Sequence, residues 1–314
     1  MKGIMPYTIH KIASCIAKLP RFMSRIKNPR IIMTLLVKDE EDIIAANLEF
    51  HHRMGVDGFV VTDNNSTDRT PEILEEYKRR GWILQIIKEP ATGYEQKRWV
   101  DRMIWIAKTT YGADWIINAD ADEFWFPTSG SLKQEAVTTR ANVIACNLTS
   151  VYPVDGEQWY EWRQTVQQPE IAPEDIPPLH KYSIFSKIDQ PKVMHRADGY
   201  LQIHMGNHKV SMLPYCCKKS QDIVIYHYNY RDQEWFTRKM LNGSRELLSH
   251  KGKHGGRHWR YFGELLSHES PEEVYSGVIE REQLPTLKKL GYLHENKIQP
   301  LLYQIVSNIK GLEK

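Results

Sequence analysis

Between residues 31 and 126, four short apolar runs recur, each separated from the next by polar, helix-like sequence. They are IIMTLLV (31–37), GFVVT (58–62), WILQII (82–87) and Trp115-Ile116-Ile117. Runs of this length, rich in β-branched residues and largely apolar without alternation, suit strands covered on both faces. The intervening segments carry helix punctuation. Asp39 is a plausible N-cap, with Glu40, Glu41 and Asp42 in a first turn, and that helix should run to Met54 and stop at Gly55. Thr70 and Pro71 open a second helix that ends in Lys78-Arg79-Arg80-Gly81. Val100, Met103, Ile104 and Ala107 fall on one face of a third, over 95–110. Strands alternating with helices predict a mainly parallel sheet, Rossmann-like and flanked by helices, so the fold class is α/β.

In such a sheet the strands leave at one edge, and acids stand at two of those exits. Asp63 and Asp68 follow the second strand, and Asp120, Asp122 and Glu123 follow the fourth. Doubly wound folds bind ligands in the crevice at that edge. Three acids within four positions repel one another, and Phe124, Trp125 and Phe126 keep apolar surface beside them, so a bound cation is the natural compensation. A solvated acidic turn is the alternative.

Outside this region the sequence is less regular. Residues 1–30 contain seven Lys and Arg and no acid, with Ile9, Ile12, Ile16 and Leu19 at helical spacing. That pattern fits a helix lying on an anionic membrane surface, or a basic helix packed on the main domain. NVIACNL (142–148) reads as another strand, followed by short β-like pieces over 182–230. Residues 250–262, HKGKHGGRHWRYF, mix glycines with cations and read as a mobile loop that could close over a phosphate. Helical patterns at 271–290 and 297–309 follow, and no internal repeat is found. Four cysteines without a CxxC pair suggest a reducing compartment rather than a disulfide framework. A net charge of +3, without a basic stripe interleaved with aromatics, argues against nucleic acid as a partner. No run approaches the roughly 20 apolar residues of a membrane span, and no secretion signal is evident, so a cytoplasmic protein is expected, with its first 30 residues offering a peripheral contact to the inner face of the membrane.

Together LLVKDEEDII, VVTDNNSTDRT, the Gln96-Lys97-Arg98-Trp99 helix and NADADEFW resemble glycosyltransferases of the family 2 type, which have a GT-A fold, and especially the branch that carries DADEF. Asp39 stands where that branch usually has Asn, and downstream the likeness thins to HYNYRDQEWFTRK (227–239). The resemblance implies transfer of a sugar from a nucleoside diphosphate sugar to a hydroxyl of a glycan or lipid-linked acceptor. It implies nucleotide contacts by Asp63, Asn65, Asp68 and Asp120. It also implies a divalent cation, Mn²⁺ or Mg²⁺, held on the diphosphate by Asp120 and Asp122. A late histidine is a further ligand candidate, His227 in its His-Tyr context ahead of His208.

The resemblance also implies inversion at the anomeric carbon, which requires a general base, and Glu123 and Asp155 are the candidates. Trp125, Trp159 and Trp162 could stack on sugar rings or simply pack in the core. On this reading the chain divides into a basic amphipathic segment (1–30), a nucleotide-sugar-binding half (31–126), an acceptor-side half of the same domain (127–249), and a basic loop with C-terminal helices (250–314). A sugar nucleotidyltransferase would normally show a glycine-rich loop where this chain has LVKDEED. A non-catalytic nucleotide- or carbohydrate-binding protein is the other alternative.

Overall fold

The computed structural model describes residues 26–90, 95–167, 181–186, 190–249 and 256–312. In chain order the elements are β1 (Ile31–Val37), α1 (Ile44–Arg53), β2 (Gly58–Asp63), α2 (Thr70–Arg79), β3 (Ile83–Lys88), α3 (Gln96–Thr109), β4 (Trp115–Ala119), β5 (Glu123–Pro127), α4 (Leu132–Thr138), β6 (Val143–Val151), β7 (Gln164–Val166), β8 (Lys192–Arg196), β9 (Tyr200–Ile203), β10 (Val210–Met212), β11 (Cys217–His227), α5 (Gln233–Ser249), α6 (Arg257–Leu265), α7 (Pro271–Val278), α8 (Leu284–Lys289), β12 (Leu293–Glu295) and α9 (Gln299–Leu312). They fall into two compact units. Unit 1 takes residues up to 91 with 95–148 and 190–225; unit 2 takes 92–94, 149–189 and 226–314.

Unit 1 is built on a sheet in the order β6-β8-β4-β1-β2-β3. The pairs β1–β2, β1–β4 and β2–β3 are parallel, as the alternating sequence predicts, while β8 lies antiparallel between β4 and β6. β11 pairs with β5 and β6. The chain steps outward from β1 to β2 to β3, then returns through α3 to lay β4 on the other side of β1. That reversal is a topological switch point, where the crevice of an open α/β sheet lies. Every residue of β2 and β4 is buried, which explains why those runs are apolar without alternation. The predicted face of α3, Val100, Met103, Ile104 and Ala107, packs into one core with Ile32, Val60 and Ile116. Each of the Val, Ile and Met side chains contributes about 1.5–3 kcal/mol through burial.

The first helix starts later than its acidic run suggests. Its N-cap is Ile43, with no side-chain cap, and Asp39 instead adopts a left-handed φ of 54°. The loop after β1 is laced to the loop after β2. Asp39 N donates to Ser66 Oγ (3.0 Å), Glu40 N to Thr70 Oγ1 (2.9 Å) and Glu41 N to Asp68 Oδ2 (3.0 Å). In return Thr67 N donates to Asp39 Oδ1 (2.6 Å) and Arg69 N to Glu41 Oε2 (2.8 Å). The acids that seemed poised to cap a helix satisfy backbone amides of the neighbouring loop instead.

Unit 2 is richer in helices and aromatic rings. β7 pairs antiparallel with β12 and with Ser150 and Val151 at the end of β6. Tyr152, Phe185, Phe236, Phe262, Tyr275 and Tyr292 belong to one buried cluster. The expected loop over 250–262 is corrected in its second half: Arg257 and Arg260 sit on α6, while Lys251, Gly252, Lys253 and Gly255 lie outside the described residues. Helix wins here because α5 offers α6 a close-packed seat. A Cβ on Gly243 would collide with the Trp259 ring, and one on Gly263 with Ser244. Residues 1–25, with most of the basic amphipathic segment, also lie outside the described residues. Among those described, no helix is long and apolar enough to cross a membrane.

Candidate active site

At the carboxyl edge of unit 1, the parallel register places the acidic exits on either side of β1. Asp63 pairs with Val37 across β1–β2, and Ala119 pairs with Leu35 across β1–β4, so Asp120 leaves the sheet beside the same strand end. Asp63 is 6% exposed and accepts from Ser66 N at 3.1 Å, which shapes the turn that follows. Asn65, in that turn, is exposed and left-handed with φ 53°. Asp68 spends its carboxylate on Glu41 N and Thr70 N, so its place is in the loop lacing.

The turn between β4 and β5 is clamped from behind by α1. Asn47 Nδ2 donates to the carbonyls of Ala121 (2.8 Å) and Glu123 (3.0 Å), the residues on either side of Asp122. His51 continues the clamp. Trp125 N donates to His51 Nε2 at 3.0 Å, so the ring proton sits on Nδ1 and is donated to Asn47 O (2.9 Å) and Oδ1 (3.0 Å). Burial pushes the His51 pKa down to about 3, partly offset by the bond to Asn47, so the imidazole is neutral. A second relay crosses the sheet beneath the turn: Thr34 Oγ1 donates to Asn118 Oδ1 (2.7 Å), Asn118 Nδ2 to His195 Nε2 (3.2 Å), and His195 Nδ1 to Arg196 O (2.9 Å). His195 is likewise held down, to about 4, by burial. Asn47, His51 and His195 escape a reading by motif. A trace was present, since Asn47 and His51 stand four apart on an otherwise apolar helix face.

The least expected member is Lys192, at the start of β8. Its Nζ lies 3.0 Å from Asp120 Oδ2 and 2.7 Å from Glu123 Oε1. Glu123 is fully buried, and its Oε2 also receives Asp120 N at 3.4 Å. Burial disfavours the lysine charge, but Asp120 and then Glu123 outweigh it and hold the ammonium above the usual lysine range. This environment makes Glu123 a buttress of the turn and argues against its use as a general base.

Asp122, 1% exposed, and Asp120, 37% exposed, present only carboxylate oxygens, a donor chemistry suited to Mg²⁺ or Mn²⁺. Among the described residues, no group of three or more His, Cys, Asp and Glu is gathered as a metal site. His208 donates from Nδ1 to Pro191 O at 3.2 Å in unit 1, and His227 ends β11 in unit 2. Asp155 is in unit 2 too, ion-paired with Arg281 at 2.9 Å on the wall of a cavity of about 310 Å³. Trp125 is wholly buried, and Trp159 and Trp162 pack on Tyr228, with Trp162 also lining the cavity beside Asp155.

A mainly parallel sheet with a switch point, and carboxylates at the ends of its strands, has the α/β architecture expected of a GT-A fold. Within that class the chain belongs to glycosyltransferase family 92, which matches residues 33–255, and this membership supports a role in glycosyl transfer. The expectation of a glycosyltransferase therefore holds at that level; the matching family is 92, where the motifs resemble family 2. Among solved structures the chain is similar to S. aureus TarS 1–349 (14% identity, covering 88% of this chain and 87% of that one, TM-score 0.41). It is similar also to the mannosyltransferase PcManGT from Pyrobaculum calidifontis, in complex with GDP-Man and Mn²⁺ (11%, 97% and 90%, TM-score 0.40). A third is glucosyl-3-phosphoglycerate synthase from Mycobacterium tuberculosis (16%, 46% and 49%, TM-score 0.28). No match is found among curated proteins.

Proposed function

We propose that the protein transfers a sugar from a nucleoside diphosphate sugar to a hydroxyl of a glycan or lipid-linked acceptor, with inversion at the anomeric carbon. The observation that carries this reading is the placement of Asp63 and Asp120 on either side of β1 at the carboxyl edge of the sheet. Asp63 offers the nucleoside a buried acceptor at the end of β2. Asp122, fixed between two carbonyls by Asn47, offers oxygens to a hard divalent cation, with Asp120 beside it. Bound there, Mn²⁺ or Mg²⁺ would neutralise charge on the departing diphosphate. His227 and His208 remain proposals as further ligands. Asp155, whose carboxylate is 67% exposed, remains a proposal as the general base, whereas Glu123 is sealed in the turn. The acid-free N-terminal segment would bring the enzyme to an anionic membrane surface, where lipid-linked acceptors reside.

The test is a thermal-shift screen of UDP-, GDP- and dTDP-sugars with Mn²⁺, followed by assay of free nucleoside diphosphate. One nucleotide should raise the melting temperature, as a ligand bound only by the folded state does. Asp63→Ala should then weaken that nucleotide by about 1–3 kcal/mol in calorimetry while the fold persists. Unaltered affinity would take Asp63 out of the site, and a failure to release nucleoside diphosphate with any acceptor would leave a binding protein.

A further inference from the structure

Lys192 combines three properties that do not usually coincide: its side chain is 5% exposed, it bridges two carboxylates, and one of those carboxylates belongs to the pair offered to a metal. Its position is set by the sheet and not by its own flexibility. β8 is fixed on both sides, with Lys192 paired to Cys146 of β6 and Met194 paired to Ile117 of β4, so the ammonium arrives at the β4–β5 turn on a rigid strand.

The turn needs such a charge. Asp120, Asp122 and Glu123 crowd one short segment, and Glu123 is fully buried. An uncompensated buried carboxylate is among the costliest arrangements a protein can hold. Lys192 removes that cost permanently and in doing so occupies Asp120 Oδ2. A divalent cation coming alone to Asp120 and Asp122 therefore meets a resident positive charge within a few ångströms and must compete for a shared oxygen. A cation that arrives with a diphosphate brings its own negative charge, which the ammonium attracts. One lysine thus disfavours the free ion and favours the ion–nucleotide complex.

We propose that Lys192 is a positioning residue that forms the Asp120–Glu123 turn in advance and makes the protein select a metal–nucleoside diphosphate complex over the free metal ion. The inference rests on the reading of Asp120 and Asp122 as the cation's carboxylates. It assigns to Lys192 an order of binding: metal and nucleotide enter together.

The experiment titrates Mn²⁺ into the full chain and counts unbound Mn²⁺ by electron paramagnetic resonance, without nucleotide and with UDP or GDP. Parent protein, Lys192→Met and Lys192→Arg are compared, with circular dichroism confirming that each is folded. The parent should bind Mn²⁺ at least tenfold more tightly with nucleotide than without. Lys192→Met should bind the free ion at least tenfold more tightly than the parent and lose most of that nucleotide dependence, and Lys192→Arg should behave like the parent. Free-ion affinity in folded Lys192→Met equal to or weaker than the parent's overturns the inference while leaving the metal reading intact. If Lys192→Met does not fold, Glu123→Gln decides: with Lys192 left on Asp120 alone, free Mn²⁺ should bind several-fold more weakly, and unchanged or tighter binding overturns the inference. No Mn²⁺ binding by any form, with or without nucleotide, overturns the metal reading and the inference with it.

Discussion

Directional polar bonds run through the interior of unit 1, from Thr34 through Asn118 to His195 and from Asn47 through His51 to the Trp125 amide. Unit 2 buries a larger aromatic cluster, with Phe236 in edge or tilted contact with Phe262 (5.1 Å), Tyr275 (5.7 Å) and Tyr230 (5.7 Å). The two interiors suit different tasks. Hydrogen bonds fix angles as well as distances, so a polar lattice under the β4–β5 turn holds carboxylates to a set geometry. Aromatic packing supplies stability over a large area without fixing angles as closely.

That contrast is open to attack, beginning in the aromatic interior. Phe236→Ala is expected to cost about 3–5 kcal/mol of stability, the usual toll of emptying a packed aromatic site, read from urea denaturation. Nucleotide and Mn²⁺ affinity should be unchanged below its transition; their loss in a still-folded variant would break the division of labour. Asp122→Asn is the opposite case. Turnover should drop by about 10²–10³-fold, roughly 2.7–4 kcal/mol of barrier, with little change in melting temperature. Asn47→Ala sharpens the comparison, since it removes two bonds to the turn without touching a candidate ligand. We expect about 1–3 kcal/mol of lost stability and a parallel loss of metal affinity, where a unit 2 cavity of equal cost would leave metal affinity alone.

A last test is the pH dependence of unit 1. His51 and His195 are neutral in the fold, with values pushed to about 3 and about 4, but ordinary at 6.5 once unfolded. Below pH 6.5 the unfolded chain binds the extra protons, so stability is full above that pH and declines on acidification, until His195 and then His51 take up protons in the fold. The slope approaches about 1.4 kcal/mol per pH unit for each histidine. Urea midpoints at pH 7 and pH 5 measure it, and His195→Gln should flatten the difference by its share.

The four parallel strands and the first three helices were legible because their signals are local: β-branched runs of strand length, a Pro at a helix start, a repeating apolar face. Asp63, Asp120 and Asp122 were legible for the same reason, as each directly ends or follows a readable strand. What escaped is set by partners distant in sequence. Asp39 looked like a cap but answers to Thr67, 28 residues away, and Lys192 meets an acid 72 residues away. A lysine in KVMHR gives no sign that it will be buried, because only the insertion of β8 between β4 and β6 buries it. The glycines and cations of 250–262 masked the helical spacing of Trp259 and Phe262, which α5 turns into a packed face.

The lacing of the loops after β1 and β2 ties the amides of each segment to side chains of the other. The amides of Asp39, Glu40 and Glu41 are tied to side chains of 66–70, and those of Thr67 and Arg69 to side chains of 39–41. Neither loop can open without exposing both sets, so their amide protons should exchange for deuterium as one cooperative group, at one common rate.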